Sequence, residues 1–582
     1  MRDMELFFLT LLKCKTDVVD AYFELPTNDS FTYCIKEFYH CQENVINNNT
    51  QNNYLSDLAN HFYNFLENDK ILQKINSLDY AILLDDLRII GEGKKTITKE
   101  RITFYREVCH RNSYLYLKEI CKQLVSLYNE NSTKYDLIEE LANLYLNEIL
   151  SRGIDPRFIF ESIKLYENNY FNSFEDYINY FLHQNYDSYD IYIPIVNMHK
   201  NDSEYFDQKE QEICFDDETN TSYAKVYRNK CIDYFSLIND QMTRIDSIFN
   251  LLKLYTKTKI DFDFDKNIIV KMSNIFGSKI ICVDFKGFIS YKGISPYLKH
   301  LSLVIENLDS LSTKDKNNYH KLLNIIAYAE KDNDIISPSS YVDYWIALES
   351  LFGLSGRGYG YGCVSKYLPS IVAPKITINK ITYFLSKLNI QTKAEEFITK
   401  VCNNNVDDIL KSKNPYYLYV LKKLSINFGS FKNIRKYYND LEQEIKIDIL
   451  RIYMLRNEYV HESNLKAFSS MQPYKLKNYL TIVIDEFFKG MAQKIDSRYI
   501  SDYGIVYDIF SRIINKNDRR QYLLQYLCEK RKTKNIKKEL DIIEAESKLN
   551  KNDIILNILL NNNELLKKYV TQKEYRHKRS KD

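Results

Sequence analysis

Residues that break regular structure are scarce in this chain, and that scarcity limits its possible folds more than any other feature. Only 14 Gly and 9 Pro occur among 582 residues. Because glycine and proline interrupt helices and build tight turns, long stretches can remain helical. The composition therefore predicts a mainly α protein. The length predicts two to four domains, since a single hydrophobic core does not organise so long a chain.

Charge, cysteine usage and hydropathy limit the classes of function open to the chain. The formal net charge is only +2, so any case for nucleic-acid binding has to be local. No apolar run approaches the roughly 18 residues of a membrane span. The 11 cysteines show no regular spacing, which in a long chain is typical of reduced thiols. We therefore expect a cytoplasmic protein that uses no membrane, metal or cofactor.

Hydrophobic periodicity divides the chain into four regions. Residues 1–186 predict a helical N-terminal region, to which we assign a sensing or regulatory role. Residues 187–300 predict a small mixed α/β element, and residues 301–500 a second helical domain. Residues 501–582 predict a basic helical region and tail. The divisions follow changes between a three-to-four-residue apolar period and an alternating one.

The α/β element is predicted from alternating apolar and β-branched residues. A first strand is expected at 187–197, and two more begin near Asn267 and Lys279. Alternation of this kind is the pattern of a half-buried strand. A helix from about 222 to 257 is expected between the first strand and the other two.

Three helices are predicted in the second helical domain. Ser337 and Pro338 suit the N-cap and first position of a helix that contains Trp345. A long helix is expected from roughly 437 to 461, and a further one over 476–491.

One short segment of the long helix carries the residue types that metal-free RNA cleavage requires. Arg456, Asn457 and His461 form the pattern R-N-x-x-x-H. Histidine suits proton transfer because its pKa lies near neutrality. Arginine can donate two parallel hydrogen bonds to a phosphate. Asn457, one turn before His461, is placed to hydrogen-bond the imidazole.

Two segments together resemble the ApeA-like branch of the HEPN superfamily. They are YWIALESLFG at 344–353 and IYMLRNEYVH at 452–461. Members of that branch are metal-independent endoribonucleases, typically dimers, and many act in bacterial defence against phage or as toxins. The resemblance covers roughly residues 313–500. It implies a HEPN-type helical bundle with Arg456 and His461 as catalytic pair, and a phage-derived trigger for the N-terminal half.

Three further residues are expected near the catalytic pair. Glu349 comes from the first of the two family-like segments and is a candidate structural or pocket carboxylate. Tyr453 and Glu458 lie on the long helix beside Arg456 and are candidates to line the pocket. A carboxylate on a helix face is more often a salt-bridge partner than a site residue.

Two other stretches are candidates for RNA contact. The glycine-rich stretch 356–362 contains Arg357 and Tyr359, but it lacks the lysine of a phosphate-binding loop and also reads as a plain flexible loop. Between residues 516 and 540, nine Lys or Arg stand against three acids, a composition that suits a phosphate backbone or a solvated helix face. Its central basic residues are Lys530, Arg531 and Lys532.

The spacing within the motif predicts a homodimer. Five residues along a straight helix leave Arg456 and His461 about 140° apart around its axis. One protomer therefore cannot aim both side chains at one phosphate unless the helix unwinds near Glu458. Two such helices facing each other across a symmetric dimer would form a composite cleft.

Several alternatives stay open from the sequence alone. A HEPN fold could bind RNA or a protein without cleaving, and a purely structural helical protein could contain the motif by chance. Cys34, His40, Cys41 and His61 could form a zinc site, although their spacing matches no finger pattern.

Overall fold

The computed structural model of the chain is mostly helical, with one small antiparallel sheet in the middle, which confirms the predicted fold class. It describes the following residues: 2–17, 29–46, 52–93, 98–182, 187–197, 211–216, 221–231, 233–256, 261–263, 265–274, 277–284, 320, 323–327, 338–353, 360–391, 397, 414–428, 431–462 and 471–495.

Nine helices make up the described part of the N-terminal region. They are α1 (Asp3–Thr16), α2 (Phe31–Ile46), α3 (Asn52–Glu67), α4 (Lys70–Ile75), α5 (Ser77–Gly91), α6 (Lys99–Asn129), α7 (Tyr135–Leu150), α8 (Pro156–Glu167) and α9 (Phe174–Tyr180). Helix α1 is central, because its apolar side chains are buried around its whole circumference and it packs against α6, α7 and α8.

The turn between α7 and α8 shows how local sequence fixes a helix boundary. Gly153 adopts a left-handed φ of 84°, which glycine reaches without steric cost. Asp155 then caps α8, since its Oδ1 accepts a hydrogen bond from the backbone N–H of Arg157 at 2.9 Å. Pro156 occupies the first helical position, where a missing N–H costs nothing.

The middle of the chain forms an antiparallel sheet flanked by one helix. Its strands lie in the order β2-β3-β1-β5-β6, and a two-residue strand, β4, pairs with β1. The elements are β1 (Asp187–Val196), β2 (Gln211–Asp216), β3 (Thr221–Cys231), α10 (Tyr234–Thr256), β4 (Asp261–Phe262), β5 (Ile268–Asn274) and β6 (Gly277–Val283). The three predicted strands correspond to β1, β5 and β6.

The predicted helix from about 222 to 257 is wrong over its first part, because β3 occupies that stretch. Ala224 and Val226 are buried, and the intervening Lys225 lies opposite Tyr192 of β1 with its Nζ 4.9 Å from the ring centroid. Side chains of a strand alternate between two faces. The pairing with β1, which local propensity does not reveal, therefore decides the conformation. Strand β2 was also not predicted.

A pair of buried carboxylates joins the N-terminal helices to the sheet element. Asp233 Oδ2 accepts a hydrogen bond from the backbone N–H of Asp155 at 3.1 Å, and its Oδ1 accepts one from Ser236 at 2.7 Å. Arg157 Nη2 donates to Asp155 at 2.7 Å. Burial, and next the neighbouring charge of Asp155, raise the pKa of Asp233 to about 7.

Among the described residues after the sheet, five long helices are seen. They are α11 (Pro338–Gly353), α12 (Tyr361–Lys387), α13 (Pro415–Phe428), α14 (Phe431–Glu462) and α15 (Met471–Ile495). Helix α14 packs against all four others, so it is the central element of this group. Within the described helices of the whole chain, none has both the length and the apolar character of a bilayer span.

The later helices pack directly on the N-terminal region. The rings of Phe7 in α1 and Tyr416 in α13 meet edge to face at 5.3 Å. The hydroxyl of Tyr419 donates to Asp136 at 2.6 Å and contacts Glu139 at 2.9 Å. Aromatic burial and these hydrogen bonds hold α13 against α1 and α7.

The buried carboxylate pair predicts a pH dependence of folding. Because the folded-state pKa of Asp233 lies above the ordinary value of about 3.9, the folded state holds the extra proton between about pH 4 and pH 7. The free energy of unfolding should therefore fall as pH rises through this window. Urea unfolding at pH 5 and pH 8 should show a smaller difference in Asp233→Asn than in wild type.

Asp240→Asn is the matched control, because Asp240 is an exposed acid on the same helix, paired with Arg244 at 3.7 Å. It should reproduce the wild-type difference between pH 5 and pH 8. An unchanged difference in Asp233→Asn would contradict the assignment.

Candidate functional site

Helix α14 carries the predicted catalytic motif, and its sequence explains its length. No Gly or Pro interrupts residues 431–462, and Ile445, Ile449 and Ile452 form a fully buried stripe. The helix extends beyond both ends of the predicted 437–461. The apolar stripe packs against α12, α13 and α15, so the position of the motif is fixed by the core.

A buried ion pair ties α14 to the N-terminal region. Arg451 Nε donates to both carboxylate oxygens of Glu37, at 2.9 and 3.1 Å. Its Nη2 donates to Asp29 at 3.0 Å. Only 2% of the Arg451 side chain and 6% of Glu37 are exposed. Burial alone would lower the pKa of Arg451, but the two carboxylates outweigh it and hold that pKa above its usual range.

A second buried pair holds the same stretch of α14, on the side of α15. Lys475 Nζ lies 2.7 Å from Asp448 Oδ1, and the hydroxyl of Tyr479 donates to Asp448 Oδ2 at 2.7 Å. Both partners are on α15. The helix that bears the motif is thus fixed by charged contacts from two directions, within three turns of Arg456.

Arg456 itself is in a different environment from Arg451. It is half-buried, and its Nη1 donates to Asn457 Oδ1 at 3.0 Å. Its Nε is buried and donates to no atom of the described residues. A guanidinium has five N–H donors, so this one retains donor capacity for an anion. Asn457 therefore orients Arg456; the predicted contact of Asn457 with His461 involves a side chain outside the described residues.

Four aromatic side chains, Tyr54, Trp345, Tyr361 and Tyr453, form a cluster one turn before Arg456; we refer to them as the aromatic cluster. The Tyr453 ring lies 5.5 Å from Trp345, 5.0 Å from Tyr361 and 5.5 Å from Tyr54. Tyr54 belongs to α3, so the N-terminal region contacts the motif helix directly. Burial raises the pKa of Tyr361 to about 12, so it stays a neutral phenol.

Glu349 lies at the edge of the same group. It is half-buried on α11, and its Oε1 is 4.0 Å from the position that a Cβ would occupy on Gly360. Gly360 precedes Tyr361 of the aromatic cluster and has a left-handed φ of 92°. The structure therefore brings Glu349 to the start of α12, close to the residues that pack on Tyr453.

The remaining predicted site residues lie outside the described residues in whole or in part. The backbones of Glu458 and His461 belong to α14, but their side chains are outside the description. Arg357, Tyr359 and the C-terminal basic residues Lys530, Arg531 and Lys532 lie wholly outside the described residues.

Helix α14 continues without a break from Phe431 to Glu462. It does not unwind at Glu458, the one change that would let a single helix turn both motif residues to one side. The backbone directions of Arg456 and His461 thus stay about 140° apart.

No protein-family model, curated protein or solved structure matches this chain.

The four residues weighed as a zinc site make other contacts. His40 lies 3.2 Å from Glu43, and His61 lies 2.9 Å from Asp29. Cys34 and Cys41 are buried and form no disulfide with a described residue. Across the described ranges, no group of three or more His, Cys, Asp or Glu side chains could hold a metal ion.

Sequence reasoning missed the residues that fix the site. Asp448 stands three residues after Ile445 and four before Ile452, inside the apolar stripe. A charged residue at such a position needs a buried partner, and this was an available signal. The identity of the partners, Glu37 for Arg451 and Lys475 for Asp448, depends on tertiary contacts that no local pattern encodes.

Two arginines on one helix give a matched test of these environments. Arg451→Met should lower the free energy of unfolding by about 3–5 kcal/mol, because it leaves two carboxylates without their cation. Arg456→Met should change it by less than about 1 kcal/mol, because methionine keeps the apolar contacts and one local hydrogen bond is lost. Urea unfolding followed by circular dichroism measures both. Equal losses would show that Arg456 is a structural residue.

Proposed function

We propose that the chain is a metal-independent endoribonuclease in which Arg456 and His461 form the active site. The observation that carries the proposal is the state of Arg456: a half-buried guanidinium with a buried Nε that donates to no described residue, oriented by Asn457 on a helix fixed by ion pairs. A cation held in place with unused donors suits a phosphate ligand. The resemblance to the ApeA-like branch of HEPN proteins supports the same assignment.

The chemistry follows from the two side chains. The ribose 2′-oxygen attacks the adjacent phosphorus while the bond from phosphorus to the 5′-oxygen breaks. A base removes the 2′-hydroxyl proton and an acid supplies a proton to the leaving oxygen, and His461 suits these transfers. Arg456 neutralises the charge that develops on the non-bridging oxygens. The products are a 2′,3′-cyclic phosphate and a 5′-hydroxyl.

The proposed active enzyme is a homodimer. The unbroken helix α14 keeps Arg456 and His461 on different sides of its axis, so the two residues of one cleft come from two protomers related by a two-fold axis. Glu349, Tyr453 and Glu458 are proposed to line this cleft. We further propose that the protein acts in the bacterial cytoplasm against phage, with a phage-derived trigger sensed by the N-terminal half.

Replacement of the histidine tests the proposed reaction. Purified wild-type protein should cleave RNA in EDTA and leave 2′,3′-cyclic phosphate ends, whereas His461→Ala should lose at least about 100-fold in rate, as expected for loss of a general acid–base group. The measurement is single-turnover cleavage of a labelled RNA, with end-group analysis by mass spectrometry. His40→Ala is the matched control, because His40 is a partly exposed histidine on α2 whose Nδ1 lies 3.2 Å from Glu43, outside the proposed cleft.

If the purified protein shows no cleavage because its trigger is absent, the same comparison is made in cells. Wild type and His461→Ala are induced with and without phage, and growth arrest and total-RNA integrity are compared. Identical behaviour of the two would remove the catalytic claim and favour the alternative, a HEPN-like module that binds RNA or protein without cleaving it. Cleavage that EDTA abolishes would contradict metal independence, but it would not test the assignment of Arg456 and His461.

Mixing two inactive variants tests the composite cleft. If each cleft takes arginine from one protomer and histidine from the other, a heterodimer of Arg456→Met and His461→Ala contains one intact cleft. Random mixing makes about half the dimers mixed, so the activity should recover to about a quarter of wild type. Co-expressed subunits with two affinity tags allow the measurement. No recovery in a verified heterodimer would place both residues in one protomer's cleft.

A further inference from the structure

A basic pocket lies in the N-terminal region, separate from the candidate active site. It has a volume of about 730 Å³, within the usual range of small-molecule sites. Its basic lining residues are Lys36 of α2, Arg106 and His110 of α6, and Arg152 just after α7. None of the described residues that line it is a carboxylate. We use the name basic pocket for this cavity.

The spacing of residues along α6 and α2 places several polar side chains around the pocket. Arg106, His110 and Tyr114 are spaced four residues apart on α6, so they form one face of that helix. Lys36 and Tyr39 are three apart on α2 and face them across the cavity. The positive charge therefore converges from three elements on one concave surface.

The two innermost cations have unused donor capacity. Lys36 Nζ donates to the carbonyl of Ser151 at 3.0 Å, and Arg152 Nη1 donates to the carbonyl of Phe181 at a long 3.5 Å. An ammonium has three donors and a guanidinium five. These two bonds, to the C-cap carbonyls of α7 and α9, therefore use only part of the donor capacity of Lys36 and Arg152.

The electrostatics of Arg152 also favour an added anion. Burial lowers the pKa of Arg152, although the nearby Glu148 opposes this shift. Burial in turn raises the pKa of Glu148, which weakens it as a counter-ion. The other nearby acid, Glu43, lies outside the lining and is paired with Arg106.

Aromatic side chains complete the pocket. Tyr114 is 44% exposed at the rim, and the guanidinium of Arg106 lies 5.6 Å from the Tyr39 ring centroid. An exposed tyrosine ring can stack on a planar base, while lysine and arginine bind phosphate.

We propose that the basic pocket binds a nucleoside phosphate, with Lys36 and Arg152 on the phosphate groups and Tyr114 against the base. Because no carboxylate of the described lining is placed to hold a cation, the ligand is proposed to bind as the free anion. This inference is independent of the proposed ribonuclease activity.

Calorimetric titration of the full chain tests the proposal, using the four ribonucleoside triphosphates, inorganic triphosphate and adenosine, all in EDTA. At least one nucleotide should bind, inorganic triphosphate more weakly, and adenosine more weakly still. Lys36→Gln and Arg152→Gln should each weaken nucleotide binding by about tenfold or more, the usual effect of losing a charge-assisted hydrogen bond. Tyr114→Ala should reduce the preference for nucleotide over inorganic triphosphate.

Two controls keep the outcome specific. Lys164→Gln removes an exposed cation on α8, paired with Glu161, and should bind like wild type. Arg456→Met should also bind like wild type, which separates the pocket from the candidate active site. If circular dichroism shows that Arg152→Gln is misfolded, Lys36→Gln and Arg106→Gln are used to test the proposal instead.

Three results would overturn the proposal. The first is that no phosphate compound binds. The second is that Lys36→Gln and Arg152→Gln both bind nucleotide as tightly as wild type. The third is that a 5′-phosphorylated RNA binds more tightly than any nucleotide. The last would reassign the pocket to RNA.

Discussion

The ion pair between Arg451 and the carboxylates of Glu37 and Asp29 is the interaction on which the arrangement of the chain depends. It joins residues more than four hundred positions apart and lies almost wholly out of solvent. A buried pair of this kind adds little net stability compared with apolar residues, but the loss of one partner is costly. Its contribution is therefore specificity, because one docking of α14 on α2 satisfies all three charges.

The same helix combines two kinds of arginine, and the contrast separates structure from function. Arg451 donates hydrogen bonds to the carboxylates of Glu37 and Asp29. Arg456, five residues later, donates to the neighbouring amide of Asn457, and its buried Nε donates to no described residue. Folding gains little from such a guanidinium, which is why we propose a ligand for it. The aromatic cluster then links this position to α3 of the N-terminal region.

The sequence was sufficient for features that are encoded locally. Scarce helix-breaking residues and apolar spacing predicted the helices, and the alternation at 187–197 predicted a strand. Prediction from the sequence failed at β3, whose conformation depends on pairing with β1, and at Arg451 and Asp448, whose partners lie on other helices or loops. The motif at 456–461 could be found by residue type, but its surroundings could not, since ring contacts and ion pairs form only after the chain has folded.

The span of the central ion pair also has a consequence for biosynthesis. At 5–20 residues per second, the 414 residues between Glu37 and Arg451 take roughly 20–80 s to translate. During that time Glu37 and Asp29 have no Arg451 to pair with, because that part of the chain has not yet been translated. They lie on a surface that α14 later covers. The helix with the motif can dock only at the end of this interval, so the young chain spends most of its synthesis without an assembled candidate site.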